Sequence, residues 1–210
     1  MKESYTTVKN SAAAEITEKR SRFIASVRPV SNEAEALEFL NGLKQKYWNA
    51  THNVYAYIIE ENNIMRYSDD GEPGGTAGLP VLEILKKECL TNIIVVVTRY
   101  FGGVLLGTGG LVHAYSKSAK AGVEAAGITE MILCRRIDAE VDYTFLGKLQ
   151  NELSKRSDVI CGDALYTDKV SVPVYVPVQS ADRFCAAITD KLNGQISLSP
   201  RETKYIERAK

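Results

Sequence analysis

Glycines between a predicted strand and a predicted helix are the first candidates for chemistry. The stretch from Asn92 to Ser118 reads NIIVVVTRYFGGVLLGTGGLVHAYSKS. Its apolar run, Ile93 to Thr98, predicts a strand buried on both faces, because it is short and rich in β-branched residues. Two glycine clusters then lead into a helical pattern: Gly102 with Gly103, and Gly107 with Gly109 and Gly110. Unpaired amides at a helix start bind anions, but the same glycines could serve only tight turns and packing, and the sequence leaves both interpretations open.

An acidic loop, Ser68 to Gly78, is the second candidate. Three acids fall within four positions: Asp69, Asp70 and Glu72. Like charges this close repel one another unless cations, protons or amide donors compensate. The loop could be an Asx-type turn paired with Arg66 or Arg99, a Mg²⁺ site, or a site of acid–base catalysis. The turn is favoured, because the acids lack the alternate spacing of an EF-hand loop.

Basic residues and histidines could accompany the glycines. The candidate phosphate contacts are Arg22, Arg66, Arg99, Lys117 and Lys120, with Lys19 and Arg20 in a charged hairpin turn as supporting residues. Such charged turns are usually only solvated. His113 is expected to point to solvent on the stripe of Lys117, where it could reach an anion but is a weak general base. His52 and Asn53, which open another predicted strand, are further supporting candidates.

Composition restricts the classes of function. The chain has 210 residues with 26 Lys or Arg and 26 Asp or Glu, so its formal net charge is zero. A protein that binds duplex nucleic acid over a broad surface normally has an excess of basic residues. Phosphate binding by this chain would therefore depend on a local basic patch. The absence of a long apolar stretch or signal segment predicts a cytoplasmic protein without a membrane partner. The four widely spaced cysteines predict reduced, mostly buried thiols and no metal site.

The elements that must position these residues follow two patterns. In the first, helices are expected from a cap at Ser31 or Asn32 to about Tyr47, from Leu79 to Cys89 and from about Gly110 to Ala126. From Ile132 the pattern becomes β-α-β-β-α-β, the ferredoxin-like arrangement. We therefore expect an α+β protein with domains over residues 1–130 and 133–210, joined by a linker at residues 127–133. Two prolines, Pro173 and Pro177, suggest that the third strand of the second domain is partly an edge.

Several blocks of sequence together resemble one known family. They occur in order over most of Glu18 to Ser118: EKRSRFI from Glu18, HN at His52 with AY at Ala56, Arg66 with SDDGEP from Ser68, GTAG from Gly75, and VVTRYFGG from Val96 with LG at Leu106 and GGLV from Gly109. This combination resembles the IMPACT/YigZ family. The C-terminal part is similar to the ferredoxin-like domain that bacterial members carry.

The resemblance implies a fold and a biological setting. The first domain would resemble domain 2 of ribosomal protein S five and domain IV of elongation factor G, and the second would resemble domain V of that factor. Family members are associated with translational control, and bacterial members have been thought to bind RNA or ribosomes. The resemblance implies no catalytic residues. Many relatives carry arginine where this chain has His113, and histidine binds phosphate less reliably at neutral pH.

Three hypotheses about function follow. The favoured one is a non-enzymatic, translation-linked protein that binds RNA or a ribosomal surface through the candidate cations and the amides from Gly107 to Leu111. The second is an enzyme acting on a phosphorylated small molecule, as in the GHMP kinases, with the acidic loop holding Mg²⁺. Against it, Val112 occupies the third glycine position of G-x-G-x-x-G. The third is a protein-interaction module whose partner binds the C-terminal sheet. No other cofactor is predicted, and the partner and oligomeric state stay open.

Overall fold

The computed structural model describes residues 2–208. Within that range the chain divides into two compact units. One unit runs from Thr6 to Thr129, and the other combines the segment from Glu130 onward with the first residues through Tyr5. The α+β class expected from the sequence is confirmed.

The first unit contains an antiparallel sheet in the order β2-β3-β6-β4-β5. Its strands are β2 (Ala12–Glu18), β3 (Ser21–Pro29), β4 (His52–Ile59), β5 (Ile64–Ser68) and β6 (Ile93–Tyr100). The residues of β6 are buried through Arg99, as the apolar run predicts. Since β6 lies at the centre of the sheet, its carboxyl end fixes the position of Arg99 within the unit.

Helices cover both faces of this sheet. On one face α1 (Glu33–Lys46) packs on Ile94 and Val96, and on the other α2 (Gly78–Lys87) and α3 (Gly107–Ala126) pack on Val95 and Val97. Successive residues of a strand point to opposite faces, so β6 contributes to both cores. The side chain of Asn32 caps α1 by accepting from the amide of Glu35 at 2.9 Å.

The helix α3 differs from its prediction at its start. It begins at Gly107 rather than near Gly110, so the second glycine cluster forms the first helical turn instead of a preceding loop. Glycine has poor helix propensity, which hides such a turn from sequence reasoning, whereas packing of the later turns overrides that propensity. Gly122 allows close contact with the sheet, because a Cβ there would lie 2.8 Å from Ala25 Cβ and from Val27 Cγ2.

The second unit follows the predicted β-α-β-β-α-β order, except that two short strands replace its second strand. Its elements are β7 (Ile128–Val141), α4 (Tyr143–Ser154), β8 (Ile160–Cys161), β9 (Leu165–Tyr166), β10 (Val170–Pro177), α5 (Ala181–Lys191) and β11 (Ser197–Glu207). In the sheet β7 lies between β11 and β10, and β10 also pairs with the short strands β8 and β9. The N-terminal strand β1 (Ser4–Val8) also pairs with β7.

Two local predictions need comment. The boundary between the two units falls between Thr129 and Glu130, within the linker expected at residues 127–133, but residues 128–133 belong to β7, whose pairing with β11 extends to Met131. The proline strand β10 is paired on both sides, but Pro173 falls between Ser171, which pairs with β9, and Val174, which pairs with β8. A proline can occupy this gap because it has no amide to donate to the ladder.

The burial of the cysteines and the hydropathy of the helices are both subjects of expectations from the sequence. All four cysteines are free thiols, but only Cys134 is buried, so the prediction of mostly buried thiols is wrong. Cys89 is exposed because it lies in the turn after α2, with a φ of +53°. Among the described residues, no helix combines the length and apolar character that crossing a membrane requires.

Candidate functional site

A cavity of about 420 Å³ lies at the carboxyl end of β6. Four segments line it: the start of β4 with His52, the acidic loop with Glu72, the end of β6 with Arg99 and the loop after it, and the first turn of α3. Residues far apart in the chain, from both candidate loops, therefore meet at one place.

A buried ion pair forms the floor of this cavity. Arg99 and Glu72 are only 5% and 8% exposed, and Arg99 Nη1 donates to Glu72 Oε1 at 2.5 Å. The hydroxyl of Tyr115 donates to the same oxygen at 2.7 Å. Burial, followed by this hydrogen bond, raises the pKa of Tyr115 well above its ordinary value, so the phenol keeps its proton. A buried carboxylate needs such donors, because an unpaired buried charge is costly.

The Arg99 guanidinium retains unused donor capacity. Its carbon lies 5.4 Å from the ring centre of Phe23 and 5.6 Å from that of Phe101, within the range of cation–π contacts. Its Nη2 lies at 3.4 Å from Ser21 Oγ, a long hydrogen bond. The Nε atom has no hydrogen-bond partner among the described residues. The planar guanidinium is thus fixed in place but not fully satisfied.

The acids of the acidic loop bind different donors. The carboxylate of Asp69 accepts the amides of Gly75, Ala77 and Gly78 at 2.8–3.1 Å, which closes the loop before α2. The carboxylate of Asp70 accepts the amide of Asn53 at 2.6 Å and lies 3.4 Å from Lys44 Nζ. In the range that the structure describes, no group of three or more potential metal ligands is found. The arrangement agrees with a turn, and the pairing expected with Arg99 comes from Glu72.

His52 is held in one orientation beside Glu72. Its Nδ1 lies 2.7 Å from the carbonyl oxygen of Asp70. A carbonyl can only accept, so Nδ1 carries the proton, and Nε2 is the second nitrogen, 3.8 Å from Glu72 Oε1. Residue 71 is a glycine with a φ of +88°, and a Cβ there would lie 3.5 Å from His52 Nδ1. The acidic loop therefore positions the histidine as well as the carboxylate.

The two glycine clusters serve different purposes. A Cβ at Gly102 would lie 2.0 Å from the carbonyl carbon of Arg20, so Gly102 is needed for packing against the β2–β3 turn. Gly103 and Gly107 have φ values of +80° and +73°, which favour glycine. Around Gly109 a Cβ would meet no described atom within 4 Å. The helix α3 lacks a side-chain cap among the described residues, so its first turn is open at the cavity.

Exposed basic side chains follow this open turn along α3. His113, Lys117 and Lys120 are exposed on α3 at offsets of four and three, so they form one stripe, and His113 points to solvent as expected. Lys117 Nζ lies 3.9 Å from the carboxylate of Glu18, which precedes the β2–β3 turn. Exposed Lys19 and Arg20 form that turn. We define the tip–helix surface as Lys19, Arg20, His113, Lys117, Lys120 and the first turn of α3.

Two predicted phosphate contacts lie elsewhere. Arg22 lies in β3, and its side chain is on the opposite face of the sheet from that of Phe23. Its guanidinium carbon is 5.5 Å from the Tyr100 ring centre, and its Nε donates to Glu15 at 2.7 Å. Arg66 pairs in register with Tyr57, which packs with α1. Arg22 and Arg66 therefore lie on the α1 face of the sheet, because strand alternation directs them away from the face on which α2 and α3 pack.

Three residues of the site escaped sequence reasoning. They are Tyr115, which binds Glu72, Ser21, which contacts Arg99, and Phe101, which lines the cavity with 45% of its surface exposed. The position of Tyr115 on the small-residue face of α3 was a usable signal, because a buried tyrosine hydroxyl needs a partner. Nothing in the local sequence marks Ser21.

The fold and the site together define a class of protein. It is an α+β protein in which a buried arginine–glutamate pair lies beneath an open, glycine-rich helix start. Residues 19–123 match the family described as the Impact N-terminal domain, and residues 140–195 match a domain of unknown function, DUF1949. The chain is 44% identical over 210 residues to the IMPACT family member YvyE of Bacillus subtilis, covering 100% of this chain and 96% of that protein. The chain belongs to the IMPACT family.

Solved structures give related comparisons. A structure described as that of a hypothetical protein is similar with a TM-score of 0.62 and 27% identity, covering 96% of this chain and 99% of the other. A second structure, of the two-domain translational regulator Yih1, is 31% identical with a TM-score of 0.39, covering 56% of this chain and 47% of that one. The first of these shares the architecture across nearly the whole chain.

Proposed function

We propose that this protein is a cytoplasmic, translation-linked regulator that binds structured RNA or a ribosomal surface through its tip–helix surface. The observation that carries the proposal is the continuity between the open first turn of α3, the cations along the same helix and the charged β2–β3 turn. Membership of the IMPACT family, which the sequence resemblance associates with translational control, supports the biological setting.

The electrostatics of the tip–helix surface suit phosphate groups. The start of a long helix carries a partial positive charge, and its first-turn amides point outward. Lys117 and Lys120 meet their acidic neighbours only at 3.9 and 3.8 Å, and their side chains are 53% and 59% exposed. Exposed pairs of this kind contribute little to stability, so a phosphate can replace the carboxylate at small cost.

The structure changes which residues we propose as contacts. Gly107, Gly109, Gly110, His113, Lys117 and Lys120 stay in the proposal, and the supporting residues Lys19 and Arg20 become proposed contacts on the same surface. Arg99 is buried and paired, so it supports the site from below instead of touching the partner. Because its loss would leave Glu72 unpaired, Arg99→Ala is an unsuitable probe of binding.

Cosedimentation with purified ribosomes tests the proposal. We expect the wild-type protein to pellet with ribosomes at low salt and to be released at high salt, because phosphate contacts are screened. The double variant Lys19→Glu with Lys117→Glu should lose most of this binding at low salt, since it reverses two charges on the surface.

The matched control reverses two lysines away from the surface. Lys86 and Lys87 are exposed in the last turn of α2, and Lys86 pairs with Glu83 of the same helix. Lys86→Glu with Lys87→Glu should pellet like the wild type. Equal loss in both double variants, or a wild-type protein that stays in the supernatant at low salt, would contradict the proposal.

A further inference from the structure

The cavity at the carboxyl end of β6 has features that a surface contact with RNA does not use. Its volume of about 420 Å³ lies within the range of small-molecule sites. Leu106 and Leu111 form buried parts of its wall, whereas Phe101 and Leu105 are 45% and 84% exposed at its rim. An apolar wall with exposed apolar residues at the entrance suits a small ligand with an apolar body.

Arg99 and the start of α3 offer donors to a ligand acceptor at the floor of the cavity. Arg99 lines the cavity and is only 5% exposed. Its Nε has no hydrogen-bond partner among the described residues. Gly107 and Thr108, from the uncapped start of α3, line the same cavity. A buried guanidinium with incomplete hydrogen bonding and an open helix start both favour an anionic oxygen.

The charges at the floor of the cavity determine which net charge of a ligand is favourable. Arg99 and Glu72 cancel one another, and the helix start adds roughly half a positive charge. A group with one negative charge is therefore close to balanced in this cavity. A group with two negative charges would leave an excess beside the carboxylate of Glu72, which is unfavourable at low dielectric.

We propose that this cavity binds a small organic monocarboxylate. Its carboxylate is directed to Arg99 and the first turn of α3, and its apolar body lies against Phe101 and Leu105. This binding shares the first turn of α3 with the proposed contact with ribosomes, but it does not use the cations of that contact, because Lys19, Arg20, Lys117 and Lys120 do not line the cavity. Each can fail without the other.

The experiment uses the full chain and three probes that share one aromatic body. Phenylacetate carries one negative charge, 2-phenylacetamide is its neutral counterpart, and phenyl phosphate carries two charges above neutral pH. Binding is measured by ligand-observed NMR titration. We expect phenylacetate to bind with a Kd of about 1 mM or tighter, as its size permits. The amide and the phosphate should bind at least about five-fold more weakly.

Charge changes at the rim test the location. Leu105 is 84% exposed, so substitution there leaves the fold intact. Leu105→Glu should weaken phenylacetate binding about three-fold and Leu105→Lys should strengthen it about three-fold, the effect of one exposed charge. Leu165, 63% exposed in the second unit, provides the control, and Leu165→Glu should bind like the wild type.

Four outcomes would overturn the proposal: no binding of phenylacetate, equal binding of the amide, tighter binding of the phosphate, or equal affinity in the two Leu105 variants. Ribosome cosedimentation of the same Leu105 variants separates this result from the proposed function. Normal pelleting with altered phenylacetate binding assigns the effect to the cavity alone.

Discussion

Glu72 joins three parts of the first unit at one oxygen atom. It comes from the acidic loop, and its Oε1 accepts from Arg99 at the end of β6 and from Tyr115 in α3. All three side chains are buried. Removing one charge of such a group leaves the other without compensation, which costs far more than breaking an exposed pair.

We therefore predict that Glu72→Gln lowers the free energy of unfolding by about 3 kcal/mol, because Arg99 stays buried without a counter-charge. Urea unfolding followed by circular dichroism gives the measurement. As control, Glu83→Gln removes an acid that is 58% exposed and pairs with Lys86 on α2, and it should change stability by less than about 0.5 kcal/mol. Similar small effects in both variants would contradict the role given to Glu72.

At the scale of elements, the packing of α3 on the sheet depends on Gly122. A Cβ there would overlap with Ala25 and Val27 of β3. We predict that Gly122→Ala is destabilising by about 1–2 kcal/mol, since overpacking outweighs the helix propensity gained. The thermal unfolding midpoint should fall accordingly.

Gly109 in the same helix provides the matched control for Gly122. A Cβ there would meet open space within the described part of the chain. Gly109→Ala should therefore leave stability unchanged or raise it by up to about 1 kcal/mol. If both alanine variants had the same midpoint, close helix–sheet contact would not be the reason for glycine at position 122.

In the second unit, Asp138 ties β7 to β11. Its carboxylate accepts from Arg136 Nε and Arg201 Nε, each at 2.9 Å, and Arg201 lies where the pairing register of β11 shifts. Burial opposes ionisation, but the hydrogen bonds from Arg201 and Arg136 prevail and lower the pKa of Asp138 below its usual value. Folding therefore favours the ionised form.

A lowered pKa fixes the direction of the pH dependence. The stability from Asp138 is present above the pKa of the unfolded chain and disappears as pH falls through the lower pKa of the folded state. We predict that Asp138→Asn is less stable than the wild type at pH 7 and that this difference shrinks below about pH 4. Urea unfolding at several pH values tests it. Asp168→Asn, in an exposed turn, should show no such convergence.

For the whole molecule, the zero net charge limits how nucleic acid can be bound. With 26 basic and 26 acidic residues, attraction must come from a local basic patch, which we propose is the tip–helix surface. We predict that log K for ribosome binding falls against log salt with a slope of about −3, corresponding to three or four phosphate contacts. The Lys19→Glu with Lys117→Glu variant should reduce the magnitude of this slope by about two. A slope near zero would rule out phosphate contacts as the source of affinity.

Much of the fold follows from local patterns. The apolar run at Ile93 predicts the central strand, the change of pattern near Ile132 predicts the second unit, and Asn32 predicts the start of α1. The errors occur where local signals are weak. Glycines hide the first turn of α3, and the polar and apolar residues at 127–133 conceal the start of a long strand.

The sequence by itself determined the burial of β6, the α+β class and the blocks that mark the IMPACT family, because these depend on residue type and short-range periodicity. Only the tertiary structure decided that the acidic loop pairs with Arg99, through Glu72, and not with Arg66, and that Arg22 lies on the opposite face of the sheet. Periodicity acts over a few residues, whereas these contacts depend on strand order and register. The cavity is likewise a property of the fold, since its walls come from four separate segments.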